Sequence, residues 1–133
     1  MTDFSITDLI IGTGKTAERG ALITAHYTGY LVDGTVFDSS VQKGTPFETV
    51  IGTGRVIKGW DLGVLGSEIG GKLLAKWGIT LDLPEFPPMK IGGRRQLVVP
   101  THLAYGERTV GKIPPHSELT FEIELLDVKT RDD

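Results

Sequence analysis

Three groups of residues in this 133-residue sequence have types and spacings that could do chemistry. The first follows an apolar run: Gly12-x-Gly14-x-x-Ala17 resembles a dinucleotide fingerprint, and Gly14-Lys15-Thr16 resembles the end of a phosphate loop. Both motifs work by aiming the N-terminal amides of a following helix at phosphate. Here Gly20 and the strand-like residues 21–31 follow instead, and Leu9 stands where a phosphate loop needs its first glycine. Nucleotide binding is therefore not expected. The second group is His26, His102 and His116, which share no metal-ligand spacing with one another or with carboxylates, so no metal and no other cofactor is expected. No Gly-x-Ser-x-Gly is present and there is no cysteine, which argues against an α/β-hydrolase serine and excludes thiolate nucleophiles and disulfides. The third group is the stretch Val56-Ile57-Lys58-Gly59-Trp60-Asp61-Leu62-Gly63-Val64 behind the Gly-rich turn 51–55. There an extended run ends, a glycine turns the backbone, and Trp60 opens a helix too short to stand alone. Its indole must lie against the core or floor a cavity.

The elements that must position these residues are mostly strands. Glycine, at 18 residues, is nearly double its usual share of about 7%, as expected where turns punctuate short strands. Residues 4–11 read as a first strand and 21–31 as a second. Asp33-Gly34 turns the chain back into Val36-Phe37-Asp38, a loop is expected at 39–45, and Pro46-Phe47-Glu48-Thr49-Val50-Ile51 alternates again. Gln96-Leu97-Val98-Val99 reads as buried. The last strand puts Leu119, Phe121, Ile123 and Leu125 on one face and Thr120, Glu122 and Glu124 on the other. The expected fold is α+β: an antiparallel sheet of about five strands wrapped around one short α-helix, about residues 57–65.

At this length the chain fits one domain with a sizeable core, residues 1–133. Its net charge is −3 and no basic run is interleaved with aromatics, so no nucleic-acid partner is expected. Met1-Thr2-Asp3-Phe4-Ser5 lacks the basic and apolar regions of a signal peptide, and no apolar run approaches a membrane span. The expectation is a cytoplasmic protein without a membrane partner.

Read in order, His26-Tyr27-Thr28-Gly29, Gly34-Thr35-Val36-Phe37-Asp38-Ser39-Ser40, Pro46-Phe47, the Val56–Val64 stretch, Ala104-Tyr105-Gly106, Ile113-Pro114-Pro115-His116 and Phe121-Glu122-Ile123-Glu124-Leu125-Leu126 closely resemble the FKBP-type peptidyl-prolyl cis/trans isomerases, the macrolide-binding immunophilins. The resemblance covers residues 6–66 and 89–128. It implies the sheet-and-helix fold and a rotamase activity on Xaa-Pro bonds of peptides and folding proteins, without a covalent intermediate. The other function open to such a domain is prolyl-peptide binding, chaperone-like or scaffolding, with little turnover. Partners so implied are proline-containing peptides, unfolded proteins and macrolide inhibitors. Carried over by position, Trp60 lies under the proline ring. Tyr27, Phe37, Phe47, Val56, Ile57 and Phe121 are walls, and Ile113 contacts ligand from the flap. Tyr105 donates its hydroxyl to a substrate carbonyl, and Asp38 is the polar group at the rim, bonding Tyr27 or the substrate. The flap 107–112 departs from the family's commonest form, with Lys112 where an apolar residue often contacts ligand.

Residues 67–88 have no counterpart in a minimal member of the family. Glu68-Ile69-Gly70-Gly71-Lys72 echoes Lys90-Ile91-Gly92-Gly93-Arg94, so either copy is a candidate for the connection into the following strand. Leu73, Leu74 and Trp77 lie at helical spacing and Gly78 is placed to stop a short helix. Pro84-Glu85-Phe86-Pro87-Pro88 must be extended. Leu83-Pro84 or Phe86-Pro87, each a bulky apolar residue before proline, is a candidate to enter the pocket of a neighbouring molecule or of its own.

Overall fold

The computed structural model describes residues 4–132. Six strands make one sheet: β1 (Ser5–Ile10), β2 (Leu22–Tyr30), β3 (Val36–Ser39), β4 (Phe47–Val50), β5 (Arg94–Val99) and β6 (Leu119–Lys129). The order is β1-β5-β6-β2-β3 with β4 also on β2, and every pairing is antiparallel. The count exceeds the five expected because β3 and β4 share one edge of β2, β3 opposite residues 28–30 and β4 opposite residues 22–25. Between them the predicted loop holds a one-turn helix, α1 (Ser40–Lys43), started by the Ser39 hydroxyl accepting from Gln42 N–H and ended by Gly44. In β6, Leu119, Phe121, Ile123 and Leu125 are buried as their alternation requires. The pairing with β2 then slips at Thr24/Ala25, and Val128 is the next residue to reach the core.

The helix α2 (Lys58–Trp77) lies across the apolar face of the sheet and buries Trp60, Leu62, Val64 and Leu65. Gly59 and Gly63 let it descend onto β5: a Cβ at either would stand 2.5 Å from Val99 or Leu97. Its predicted end near residue 65 is real, since Gly66 adopts φ 87°, ψ 171° inside the helical span. A second helical segment then begins at once and runs to Trp77, where Gly78 in the left-handed conformation stops it as its position predicts. The chain returns along residues 79–88. Ser67 N–H and hydroxyl both donate to Phe86 O, at 2.9 and 3.0 Å, and Phe86 N–H donates back to Ser67 Oγ at 2.9 Å. The insert thus starts and ends at one point, and Met89 N–H rejoins the frame on Val64 O.

Of the two echoing segments, residues 90–94 lead into β5 and 68–72 are helical. The glycine motif beside them holds no phosphate loop. Gly14 N–H donates to Ile91 O and Ala17 N–H to Met89 O, so amides that a phosphate would need are already bonded.

The insert packs on the domain. Phe86 is buried against Phe4, ring centroids 6.2 Å apart, and beneath the guanidinium of Arg95. Arg95 is itself only 2% exposed and donates to both oxygens of Asp8 and to Gly63 O, which joins β1, α2, β5 and the insert through one side chain. Phe86-Pro87 is therefore corrected as a pocket ligand: its phenyl ring is a core group. Leu83 is half-buried beside Gly70, while Pro84 is exposed. Among the described residues, no helix is long and apolar enough to cross a membrane.

Candidate active site

Trp60 ends up where two constraints meet. The first turn of α2 is fixed by Trp60 N–H on Ile57 O, and the turn before it is pulled in by Asp61, whose buried carboxylate accepts from Gly52 N–H at 2.7 Å and Gly54 N–H at 3.2 Å. Burial pushes the Asp61 carboxyl up, and the two amides oppose that push. With the Gly-rich turn so held, Val56 and Ile57 form one lip of a hollow and the indole, 4% exposed, forms its floor.

Three rings stand edge-on around that floor. Tyr27 from β2 is 5.3 Å from the Trp60 centroid at 81°, Phe47 from β4 is 5.8 Å at 88°, and Phe121 from β6 is 5.7 Å at 85°. Phe37 from β3 meets Phe121 edge-on in turn at 5.6 Å. Edge-to-face contacts place positive ring edges on negative faces, which locks four walls without filling the space between them. What remains is a cavity of about 230 Å³, several times the roughly 30 Å³ share of one water molecule.

Polar groups sit at the rim. Tyr27 hydroxyl donates to Asp38 Oδ2 at 2.6 Å, and α1 returns Lys43 to Asp38 Oδ1 at 2.7 Å. Burial alone would raise the Asp38 carboxyl, but the hydrogen bonds from Lys43 and Tyr27 outweigh it and hold the group below the ordinary carboxylate value. Tyr27 is driven well above a normal phenol by burial, by its bond to Asp38 and by that carboxylate's charge. Tyr105, on the loop after β5, is raised by burial and by Asp38, with Arg108 pulling the other way. Both phenols are donors at neutral pH. Tyr105 hydroxyl makes no hydrogen bond among the described residues, and neither does Ile57 N–H.

Trp60, Asp38, Tyr105, Tyr27, Phe37, Phe47, Val56, Ile57 and Phe121 thus converge on one cavity, drawn from four strands, the first turn of α2 and two loops far apart in the chain. Ile113 does not. It is 4% exposed, points into the core, and pairs with Val110 through two backbone hydrogen bonds that close the flap on itself. Two residues were not anticipated. Arg55 lines the cavity beside Val56, and Lys43 holds Asp38 from α1. Spacing carries no signal for either, because each depends on a turn that sets its direction.

A sheet curled over one helix, with an indole-floored aromatic cavity open at one side, defines a recognisable class. A family model described as FKBP-type peptidyl-prolyl cis-trans isomerase matches residues 13–126, and the chain belongs to that family. It is 46% identical over 125 residues to peptidyl-prolyl cis-trans isomerase FKBP13, chloroplastic, of Arabidopsis thaliana, covering 90% of this chain and 52% of that protein. It is 43% identical over 129 residues to an FK506-binding protein of Neisseria meningitidis serogroup A, covering 96% and 98% respectively. The crystal structure of AtFKBP13 superposes with a TM-score of 0.78 at 42% identity, over 96% of this chain and 93% of that one. The crystal structure of FkpA from Escherichia coli does so at 0.72 and 32%, over 95% and 48%. The chain therefore spans about half of the Arabidopsis protein and nearly all of the neisserial one.

Proposed function

We propose that this cavity catalyses rotation about Xaa-Pro bonds in peptides and folding proteins, with Trp60, Tyr105 and Asp38 as its central residues. The barrier is roughly 18–20 kcal/mol and arises from amide resonance. Before proline the two isomers are close in energy yet exchange in tens to hundreds of seconds. No nucleophile is needed. The twisted imide has lost its resonance and is less polar than the planar one, so moving it from water into an apolar hollow favours the twisted state, and each ~1.4 kcal/mol of such preference gives tenfold in rate.

The proline ring lies on Trp60 between Tyr27, Phe47 and Phe121, with Phe37 and Val56 excluding water. Ile57 N–H and Tyr105 hydroxyl, neither engaged among the described residues, hold carbonyls on either side of the ring and fix the chain while the bond turns. Asp38 positions Tyr27 and keeps its hydroxyl out of the hollow. The observation that carries this reading is the edge-on packing of three rings around one indole at the floor of a cavity whose rim offers two donors unbonded among the described residues. Macrolide inhibitors are proposed to bind the same hollow, as the names of the FK506-binding relatives suggest for those proteins.

Clients are proposed to be folding chains in a reducing, cytoplasmic setting, which suits a sequence without cysteine. Exposed Pro84 after Leu83 is the one route left for self-association through the insert, tested by the concentration dependence of sedimentation. The activity is tested by NMR exchange on a Leu-Pro-Phe peptide. Turnover that collapses in Trp60→Ala and weakens in Tyr105→Phe supports it. A folded protein that binds the peptide without speeding its exchange is instead a binding or chaperone module.

A further inference from the structure

One wall of the prolyl cavity is shared with a neighbouring hollow. Arg55, Val56, Ile57 and Tyr105 also line a second hollow of about 400 Å³, completed by Lys58, Trp77 and Arg108. Among the described residues three cations and no carboxylate line this space, in a chain whose net charge is −3. Arg55, Lys58 and Arg108 are exposed, and among the described residues none has a carboxylate partner. Lys58 is steadied by the indole of Trp77, its Nζ 5.6 Å from the ring centroid. Arg108 lies close enough to Tyr105 to oppose the rise of its phenol. The insert is what completes the wall, because Trp77 is the last residue of its helical segment and Gly78 fixes where that residue stops.

We propose that this hollow is a second subsite of the prolyl site, taking the carboxylate of an Asp or Glu that lies within a few residues of the proline. The inference rests on the prolyl reading above. A peptide whose ring occupies the Trp60 floor must leave past the shared lip of Ile57 and Tyr105, and on this side it runs between cations. The indole of Trp77 offers an apolar face to the methylene stem of a glutamate, while Arg55, Lys58 and Arg108 surround its head. Local cations on a net-acidic surface also select against basic flanks, because like charges brought together cost free energy as unlike ones gain it.

The test uses the whole chain and a set of Leu-Pro-Phe peptides in which one flanking residue, up to three positions before or after the proline, is Glu, Gln or Lys. NMR exchange gives kcat/KM for each. For at least one position the Glu peptide is expected to exceed its Gln counterpart by about tenfold and the Lys peptide to fall below it, as several screened charge pairs allow. Raising salt from about 0.05 to about 0.5 M shrinks that ratio. The double variant Lys58→Glu, Arg108→Glu, both exposed and clear of the Trp60 cavity, should invert it. Equal turnover of the three peptides, or a ratio untouched by the double variant, overturns the subsite while leaving the isomerase in place. Should the Gln peptides not be turned over at all, the isomerase reading falls. The subsite is then judged by titration at the Trp77 indole resonance, where Glu peptides must bind more tightly than Gln and Lys peptides or the proposal goes with it.

Discussion

Ser67 and Phe86 exchange three hydrogen bonds, so the whole of residues 67–88 leaves and rejoins the domain at one point beside Gly66. A loop whose ends already touch adds little closure entropy to the frame, about 0.6 kcal/mol per doubling of length. None of its residues lines the Trp60 cavity. Joining Gly66 to Met89 should therefore leave turnover of a neutral Leu-Pro peptide within about twofold, rather than raise it as competition by the loop would require. Stability should fall by about 3–5 kcal/mol, the range for loss of a buried phenyl group, since Phe86 no longer covers Phe4 and Arg95. Thermal melting and NMR exchange on the same sample decide both halves; a marked gain in turnover would count against the packing described.

The floor and the donor should separate in kinetics. Trp60→Leu keeps an apolar core group but removes the face that three rings surround, and kcat/KM should drop by at least about tenfold. Tyr105→Phe keeps the ring and removes one hydrogen bond, worth about 0.5–1.5 kcal/mol, so the drop should be about two- to tenfold. If the two variants lost activity equally, the hydroxyl would be doing more than holding a carbonyl.

These side chains were legible for unequal reasons. Alternation in β6 put Phe121 on the buried face, whereas Tyr27, Phe37, Phe47 and Trp60 were placed at the site by the family resemblance of the ordered short motifs. The helix ending near residue 65 and the stop at Gly78 were readable from local pattern, because an apolar stripe at helical spacing followed by glycine marks where a helix ends. Ile113 failed because the flap closes on itself through Val110, a pairing that depends on the length of one turn. Arg55 and Lys43 were invisible because each reaches the site from an irregular segment, one held by Asp61 and the other by a single helical turn.

Proton chemistry should not limit the rate near neutrality. The phenols of Tyr27 and Tyr105 are both raised above the ordinary value of 10.0, and Asp38 is held below 3.8. Between about pH 5 and 9 none of the three changes charge, so kcat/KM should be flat. On the acid side it should fall only below the usual carboxylate range. The stability that Asp38 contributes follows the same sign: it is fully present above the unfolded value, and it is lost as pH falls through the lower folded one. Asp38→Asn should remove that acid limb from melting curves. An alkaline limb beginning near pH 8 would contradict the assignment of both phenols as donors.

Asp61 is the residue on which the lip of the cavity depends, although it touches nothing in the cavity. Its carboxylate is fully buried and satisfies Gly52 and Gly54 N–H together, which sets the direction of Arg55, Val56 and Ile57. Asp61→Ala deserts both amides, at about 1–3 kcal/mol for a buried one, and frees the turn they belong to. Melting temperature should fall accordingly. At a temperature where the variant is still folded, KM should rise more than kcat falls, because the lip binds the chain while the indole floor stays where the helix puts it. Amide resonances of residues 52–57 should shift while those of β6 hold. A variant that melts early yet keeps the parent KM would mean that Val56 and Ile57 are held by the sheet alone.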